Sequence, residues 1–384
     1  MNKKFLYEYL KKRKSALPLA EAEKLRDRLL TFKTFAIDNM EVYLGQAKKS
    51  LEKNGCQVYL ASTNIDALNI INKLIAGEKY IVKSKSNTIN KVGISEIRAE
   101  VIETDTGDFL SSLAGKKDPH PVIPALSLTE AEMAAAIKKK LNVDVEPKPE
   151  KIVAFVRSYL REKIKNAKTG LTGANAVTAE GQVVILENEG NISLLSHLPD
   201  RHIVVVGVNK IVKNMSEAND VVKAAAVWGT GQDWPNYVNV ISGPSKTGDI
   251  QNELVFGAHG AREVHVIFVD AGRFETARSP FKEKLYCINC GACYDCCPIY
   301  NTSGLKPKIS DFEKNYSCSL CSSCTINCPV KIDWQKLTKM ARNDFVKDGK
   351  ISAANKKMIE NVRQYGNPFG KQEEGKTLKE LYCC

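Results

Sequence analysis

Apolar and polar positions follow two alternating patterns over most of the chain. Short runs rich in Val and Ile predict buried strands. Strands are expected at residues 57–61, 80–83, 100–103, 183–186, 202–207 and 263–269. Apolar residues at helical spacing predict helices within 1–38, at 40–53, 66–75 and 153–166, and up to about 140 from a capping box of Thr129 and Glu132. Strands alternating with helices predict an α/β fold with a mostly parallel sheet and helices on its faces.

Length, composition and charge narrow the class of protein. A chain of 384 residues predicts two or three domains, and 43% hydrophobic with 26% charged residues is typical of a soluble globular protein. The chain shows no apolar run long enough for a transmembrane helix, and its basic start lacks the apolar region of a signal peptide. These features predict a cytoplasmic protein, with any membrane association made through partners. The net charge of +12 comes from scattered lysines, which argues against nucleic-acid binding.

The last third of the chain contains the same cysteine pattern twice. Each cysteine of the second copy follows its counterpart by 31 residues (318 − 287), and each copy ends in a proline, Pro298 or Pro329. The cysteines of the two copies are Cys287, Cys290, Cys293 and Cys297, then Cys318, Cys321, Cys324 and Cys328. This exact spacing of C-x2-C-x2-C-x3-C-P indicates an internal duplication.

A run of this kind holds a [4Fe–4S] cluster in bacterial-type ferredoxins, where the cysteine before proline serves the other cluster. We therefore assign one cluster to the first three cysteines of the first copy, with Cys328 as the fourth ligand. The other cluster takes the first three cysteines of the second copy, with Cys297 as its fourth ligand. Structural zinc sites use two separated cysteine pairs, so zinc fits this pattern poorly.

Four further cysteines lie outside the pattern. Cys296 is predicted to be a packed thiol, with exchange as a cluster ligand as the alternative. Cys56, beside a predicted strand, is expected to be a small core residue. Cys383 and Cys384 end the sequence, and they are interpreted either as a frayed, reactive terminus or as a docking tail that lends a thiolate to a partner.

Three segments carry a resemblance to a known family. They are GLTGANAVTAEGQVVILENEGNISLLSHLPDRHIVVVGVNKIV (170–212), GTGQDWPNYVNVISGPSKTGDI (229–250) and KYIVKSKSNTINKVGI (79–94). With the cysteine runs, they resemble the iron–sulfur subunit of the lactate-utilisation (LUD) system. The resemblance implies a LUD α/β domain related to sugar-phosphate isomerases and CoA-transferases, followed by a small α-helical dicluster ferredoxin domain. It also implies a multi-subunit complex that oxidises L-lactate or a related 2-hydroxy acid.

Polar residues at the predicted strand ends are candidates for ligand binding, because open α/β sheets bind ligands there. These candidates are Thr172, Gly173, Glu180, Asn188, Glu189 and Asn191. The turn at 243–249 adds Ser245, Lys246 and Asp249, which could cradle a carboxylate or phosphate. Glu189 is the candidate acid or base. The alternative is that these residues only shape turns.

Two other features bear on ligands. His259 and His265 are expected to be packed near strands rather than to act as ligands or proton carriers. The sequence contains neither a GxGxxG fingerprint nor a P-loop, so NAD and ATP find no support.

The predicted organisation has five parts. They are an N-terminal helical segment (1–38), the LUD domain (39–275), a linker (276–285), the ferredoxin-type domain (286–335) and a helical tail for partner docking (336–384). Residues 333–370 resemble the tail of heterodisulfide-reductase-type iron–sulfur subunits. That resemblance implies a cysteine-rich CCG-type partner, alongside a second LUD-domain subunit or a flavoprotein subunit.

The sequence therefore predicts a non-catalytic electron-transfer subunit that carries two [4Fe–4S] clusters. Two alternatives stay open. One is a heterodisulfide-reductase-like electron relay unrelated to lactate. The other is a ligand-binding module whose clusters sense the redox state.

Overall fold

The computed structural model describes residues 11–13, 15–116, 122 and 128–371. The chain divides into two compact units. The first unit combines residues 1–296 with 324–332, and the second combines 297–323 with 333–384. In the described part of the chain, every helix is too short or too polar to cross a membrane.

The helices in chain order are α1 (Leu19–Asp38), α2 (Met40–Lys53), α3 (Asn64–Leu74), α4 (Asn87–Val92), α5 (Thr106–Leu113), α6 (Glu130–Leu141), α7 (Pro149–Lys165), α8 (Asn191–His197), α9 (Met215–Thr230), α10 (Arg273–Ala277), α11 (Ala292–Asp295), α12 (Pro298–Ser303), α13 (Phe312–Tyr316), α14 (Ser323–Ile326), α15 (Trp334–Lys347) and α16 (Ala353–Tyr365). Three short 3-10 helices span Ile94–Glu96, Val208–Lys210 and Lys282–Tyr286. The predicted bounds of α2 are confirmed, and α7 starts four residues before its predicted start because Pro149 occupies its first turn. The capping box before α6 is also confirmed.

The strands are β1 (Gln57–Ala61), β2 (Tyr80–Lys83), β3 (Glu100–Glu103), β4 (Thr169–Thr172), β5 (Ala176–Thr178), β6 (Val183–Glu187), β7 (Arg201–Gly207), β8 (Ile211–Val212), β9 (Tyr237–Ile241), β10 (Lys246–Ile250), β11 (Glu253–Phe256) and β12 (Glu263–Val269). Six of them form a sheet that is parallel throughout, in the order β1-β12-β7-β4-β2-β3. The predicted mostly parallel sheet is thereby confirmed.

The main sheet is covered on both faces. Successive side chains of a strand point to opposite faces, so Ile81 joins a core with Ile71 of α3, and Val82 joins a second core with Val156 of α7. Helices therefore pack on each side of the sheet, and its strand ends are left to the loops.

One strand prediction needs correction. The run at 183–186 was expected among the strands of the parallel sheet, but β6 belongs to a separate four-stranded sheet of order β8-β5-β6-β9. There it pairs antiparallel with both β5 and β9. An apolar run reports burial and not the identity of its neighbours, so the sequence pattern could not separate the two sheets.

Several strands lacked a sequence signal. All four residues of β4 are buried although the strand contains two threonines and a glycine. Its Thr172 Oγ1 lies 2.8 Å from Nε2 of the buried His202, so a hydrogen bond replaces an apolar contact. Strands β10 and β11 form an antiparallel ribbon whose apolar side chains are exposed. A search for buried apolar runs cannot detect such strands.

The second unit is helical where it is described. Phe312 of α13 packs edge-on against Phe345 of α15, with ring centroids 5.5 Å apart. The Arg342 side chain stacks over Tyr316 and donates to the Cys318 carbonyl at 2.8 Å. Helix α16 ends at Gly366, which adopts the left-handed conformation common at helix C-termini.

Gly170 in β4 gives a test of how closely α8 packs on the sheet. A Cβ at this position would lie 1.9 Å from the Leu195 carbonyl oxygen. We expect Gly170→Ala to lower the free energy of unfolding by about 1–3 kcal/mol, because the helix must move away. Urea denaturation under anaerobic conditions measures the change. Gly248→Ala in the exposed ribbon is the matched control, since a Cβ there meets no atom within 4 Å. Equal stability of the two variants would contradict the close packing.

Candidate functional site

The carboxyl edge of the parallel sheet forms one wall of a cavity of about 340 Å³. The loops after β2, β3, β4 and β7 contribute this wall. Its lining comprises 84–88, 105, 173–175 and 210. The end of β6 and the start of α8 contribute 185–189, 191 and 192. Residues 288–290, which belong to the first cysteine loop, line the cavity as well.

The structure brings four of the predicted ligand-binding residues together in this cavity, namely Gly173, Asn188, Glu189 and Asn191. The other predicted residues lie outside its lining. Thr172 is buried against His202, and Glu180 is exposed in the turn between β5 and β6. Ser245 precedes the ribbon, and Lys246 and Asp249 belong to its strand β10, so the prediction that residues 243–249 form one turn is wrong.

Three of the four predicted residues in the cavity form side-chain hydrogen bonds with neighbouring residues of the protein. Glu189 Oε2 accepts hydrogen bonds from the Thr106 amide at 3.1 Å and the Thr106 hydroxyl at 2.9 Å. Asn191 donates to Thr104 Oγ1 at 3.1 Å. Asn188 Oδ1 accepts from the Asn236 amide at 3.0 Å. The alternative reading of these residues as shapers of turns therefore has direct support.

Sequence reasoning missed several polar residues of the cavity, among them Ser84, Lys85, Asp105 and Lys210. Each lies within three residues of the carboxyl end of a strand that the sequence did predict. The strand-end rule that selected Asn188 would have found them. The rule was applied to only some of the strand ends of the sheet.

The charges of the cavity are mixed. Lys85 Nζ lies 3.5 Å from the Asp108 carboxylate. Burial, followed by the nearby Glu189 and Asp108, raises the pKa of Asp105 to about 6. Ser84 is 1% exposed, and its hydroxyl has no hydrogen-bond partner among the described residues. The cavity therefore offers a cation, a carboxyl group that holds its proton below about pH 6, and an unused hydroxyl.

The two cysteine loops share one backbone conformation. Asn289 and Gly291 have φ of 62° and 83°, and their counterparts Leu320 and Ser322 have φ of 55° and 62°. A short helix begins at the same place in each copy, as α11 and α14. Left-handed backbone in tight loops forms amide concavities that bind anions and iron–sulfur sites. The internal duplication is thus present in the structure as well as in the spacing of the cysteines.

The cysteines of the first predicted cluster all belong to the first unit. Burial raises the pKa of Cys290 well above its ordinary value, and the neighbouring thiols Cys328, Cys287 and Cys293 raise it further. Of the second predicted set, Cys297, Cys318 and Cys321 belong to the second unit and Cys324 to the first. The part of the chain that the structure describes holds no group of three or more His, Cys, Asp or Glu side chains arranged to bind a metal ion. The ligand assignment therefore stays a prediction.

Two buried lysines face the first cysteine loop. Lys210 Nζ donates to the Cys287 carbonyl at 3.2 Å, and Lys33 Nζ of α1 donates to the Asn209 carbonyl at 2.6 Å. They are 6% and 1% exposed, and neither forms an ion pair with a described carboxylate. Burial lowers the pKa of Lys33 to about 7 and that of Lys210 to about 8. A four-thiolate [4Fe–4S] group, which carries a net negative charge, would supply the missing counter-charge, so these residues fit it.

Helix α1 also contacts Cys328, the predicted fourth ligand of the first cluster. Arg26 donates to the Cys328 carbonyl at 3.1 Å and to the Ile326 carbonyl at 3.0 Å. From the sequence, residues 1–38 were predicted only as an N-terminal helical segment. An arginine and a lysine on an amphipathic helix give no sign that they point towards cysteines some three hundred residues away in the chain.

The remaining cysteines and histidines have simpler roles. Cys56 is 6% exposed, as expected of a core residue, and burial raises its pKa to about 11. His265 is buried on β12, with Nδ1 3.3 Å from the Tyr59 hydroxyl, which agrees with a packed histidine. Cys383 and Cys384 lie outside the described residues.

Fold and site together define an α/β protein with a parallel sheet whose loops meet the first of two cysteine loops. The LUD domain family matches residues 44–269, and the chain belongs to that family. Lactate utilization protein B of Bacillus subtilis (strain 168) is 31% identical over 370 residues, which cover 89% of this chain and 76% of that protein. The corresponding protein of Bacillus velezensis is 32% identical over 365 residues, covering 88% and 74%.

Other comparisons are more distant. The uncharacterized electron transport protein YkgF of Escherichia coli (strain K12) is 29% identical over 367 residues, covering 89% of this chain and 76% of that protein. A crystal structure of a DUF162 family protein from Deinococcus radiodurans matches 60% of this chain and 98% of its own, with 16% identity and a TM-score of 0.34. A score this low carries no argument about the fold.

The environments of the cysteines predict an order of reactivity in the reduced, metal-free chain. A hydrogen bond with the Ser323 side chain lowers the pKa of the exposed Cys321, whereas burial raises that of Cys56. Because the thiolate is the nucleophile, we expect iodoacetamide at pH 7 to label the exposed Cys321 faster than the buried Cys56. Peptide mass mapping over time measures the order.

The matched control is Ser323→Ala, which removes the hydrogen bond and should slow the labelling of Cys321 without changing that of Cys56. Labelling of Cys321 and Cys56 at equal rates in the parent chain would contradict the assigned environments.

Proposed function

We propose that this chain is the electron-transfer iron–sulfur subunit of an oxidoreductase complex that oxidises L-lactate or a related 2-hydroxy acid. The observation that carries the proposal is the duplicated C-x2-C-x2-C-x3-C-P run, whose two loops have the same left-handed backbone positions. The relatives named lactate utilization protein B and the electron transport protein YkgF support the choice of process.

Eight cysteines would hold two [4Fe–4S] clusters, in the sets that the sequence predicts. One set is Cys287, Cys290, Cys293 and Cys328, and the other is Cys318, Cys321, Cys324 and Cys297. When bound, such clusters supply one-electron transfer. The protein contributes the thiolates, the amide groups of the two loops and the surrounding charge.

The described residues around the first set have separate tasks. Lys33 and Lys210 place positive charge in a buried region beside Cys287. Arg26 fixes the carbonyl of Cys328, the proposed fourth ligand of this set. Buried positive charge favours the more negative, reduced state of a neighbouring redox group. These residues therefore help to set the potential at which this chain accepts an electron.

Oxidation of a 2-hydroxy acid releases two electrons, and each cluster accepts one at a time. A partner must therefore take the pair from the substrate and divide it, which is chemistry that a flavin can perform. We propose a flavoprotein, a second LUD-domain subunit or a CCG-type cysteine-rich subunit as that partner. The complex would be located in the cytoplasm.

The proposal is tested by anaerobic reconstitution of the full chain with iron and sulfide. We expect about eight iron ions per chain, as two [4Fe–4S] clusters require, and a paramagnetic signal after reduction with dithionite. In the assembled complex, L-lactate should then reduce the clusters in place of dithionite. Iron content near zero would end the cluster assignment. Full iron content with reduction by thiols but not by lactate would favour a heterodisulfide-reductase-like relay.

The charge of Lys210 gives a sharper test of the first cluster site. We expect Lys210→Met to lower the midpoint potential of one cluster by an amount on the order of tens of millivolts, because a buried positive charge is lost near it. A redox titration followed by electron paramagnetic resonance measures both potentials. Lys213→Met, three residues along the chain and exposed, is the control and should leave both unchanged. Unchanged potentials in Lys210→Met would show that this lysine does not face a cluster.

A further inference from the structure

The cavity at the carboxyl edge of the sheet and the first cysteine loop share a wall. Ile288, Asn289 and Cys290 line the cavity together with the loops after β2, β3 and β4. Lys210 lines it too, while its Nζ donates to the Cys287 carbonyl. Any molecule in the cavity would therefore lie against the loop that carries three of the proposed ligands of the first cluster.

The cavity has a cationic region that suits an anion. Lys85 is partly exposed, and its only described ionic partner, Asp108, is 3.5 Å away, which is a long ion pair. Lys210 adds a second ammonium group without a described carboxylate partner. Both lysines follow strand ends of the same sheet, so they are held by rigid elements rather than by long loops.

Beside these lysines lie two groups that can form hydrogen bonds with a ligand without carrying a positive charge. Asp105 lies near Glu189, and burial together with the charges of Glu189 and Asp108 raises its pKa to about 6, while Lys85 acts in the opposite direction. The Ser84 hydroxyl is buried and has no described partner. A protonated carboxyl and a hydroxyl are hydrogen-bonding groups for a ligand oxygen that carries no charge.

The volume of about 340 Å³ lies at the small end of the usual range for small-molecule pockets. A ligand of this cavity must be small and must combine a carboxylate with a second oxygen function. We propose that the cavity binds a small 2-hydroxy or 2-oxo acid, with its carboxylate at Lys85 and its second oxygen at Asp105 and Ser84, against the Cys290 loop. This inference rests on the proposed function, because it assumes that the first cluster is present.

Binding at this place has a consequence for redox behaviour. Reduction adds one negative charge to the group at Cys290, so an anionic ligand should bind more tightly to the oxidised chain. By reciprocity, the ligand must then stabilise the oxidised state and lower the midpoint potential. A tenfold difference in affinity corresponds to about 59 mV for a one-electron couple. The acid would therefore adjust the potential of the chain that handles its electrons.

The experiment uses the reconstituted full chain under anaerobic conditions. Isothermal titration measures the binding of pyruvate, L-lactate and propionate, which lacks the second oxygen. We expect pyruvate and L-lactate to bind at least tenfold more tightly than propionate. Saturating pyruvate should lower the midpoint potential of one cluster and leave that of the other unchanged. Absence of binding, or binding without any change in either potential, would overturn the inference.

Variants locate the site. Lys85→Met should weaken pyruvate binding at least tenfold, whereas Lys246→Met in the exposed ribbon should have no effect. Iron content near eight per chain shows that each variant still carries its clusters. Equal binding by the parent and Lys85→Met would place the ligand elsewhere and overturn the inference.

A second variant keeps the test decisive if Lys85→Met fails to load iron. Asp105 caps α5, and Asn is an equally good capping residue, so Asp105→Asn should preserve the fold. In the parent chain, pyruvate should bind more weakly as the pH rises from 5 to 7, because Asp105 loses its proton and repels the anion. Asp105→Asn should remove this dependence, and a slope that persists unchanged would count against the proposed contact. Failure of the clusters to form at all would instead refute the proposed function.

Discussion

Two ammonium groups, those of Lys33 and Lys210, are buried beside the first cysteine loop without a described carboxylate to neutralise them. Burying a charge costs several kcal/mol unless a counter-charge is present. The thiolates of the loop are the available anions, and deprotonated thiolates are the form that binds iron. In the metal-free chain, burial lowers the pKa of Lys33 to about 7 and that of Lys210 to about 8, and it raises the pKa of Cys290. Both sets of groups therefore shift towards their neutral forms until a negatively charged group, such as the proposed cluster, is bound.

The parallel sheet determines how these groups meet. Strand β7 runs directly into the 3-10 helix Val208–Lys210, so the end of a central strand delivers Lys210 to its carboxyl edge. The same lysine contacts the cysteine loop and lines the cavity. The preceding residue, Asn209, connects two further elements. Its carbonyl accepts a hydrogen bond from Lys33 of α1, and its side chain donates one to the Leu285 carbonyl. A single strand end therefore links α1, the approach to the cysteine loop and the ligand cavity.

Sequence reasoning was strongest where a pattern is local. The bounds of β1, β2, β3 and β12 could be predicted because each is a short segment that contains strand-favouring residues, although only β2 and β12 are mostly buried. Sequence reasoning failed where contacts with residues distant in the chain determine the strand pairing. Strand β4 pairs its threonines with partners from other elements, and β6 joins a second sheet that no local pattern distinguishes from the first. In the site, cysteine spacing predicted the loops, but Lys33 and Arg26 act across long sequence separations and leave no trace in the spacing.

The two cysteine loops show how strongly their conformation is constrained. In the first copy, the left-handed positions hold Asn289 and Gly291, which tolerate that conformation well. In the second copy, the same positions hold Leu320 and Ser322, for which it costs roughly 1–2 kcal/mol per residue. A loop free to relax would lose this conformation once the glycine was replaced. Its retention in the copy with unfavourable residues indicates that contacts of the loop, such as the hydrogen bond from Gln335 to the Leu320 carbonyl at 2.6 Å, outweigh local backbone preference.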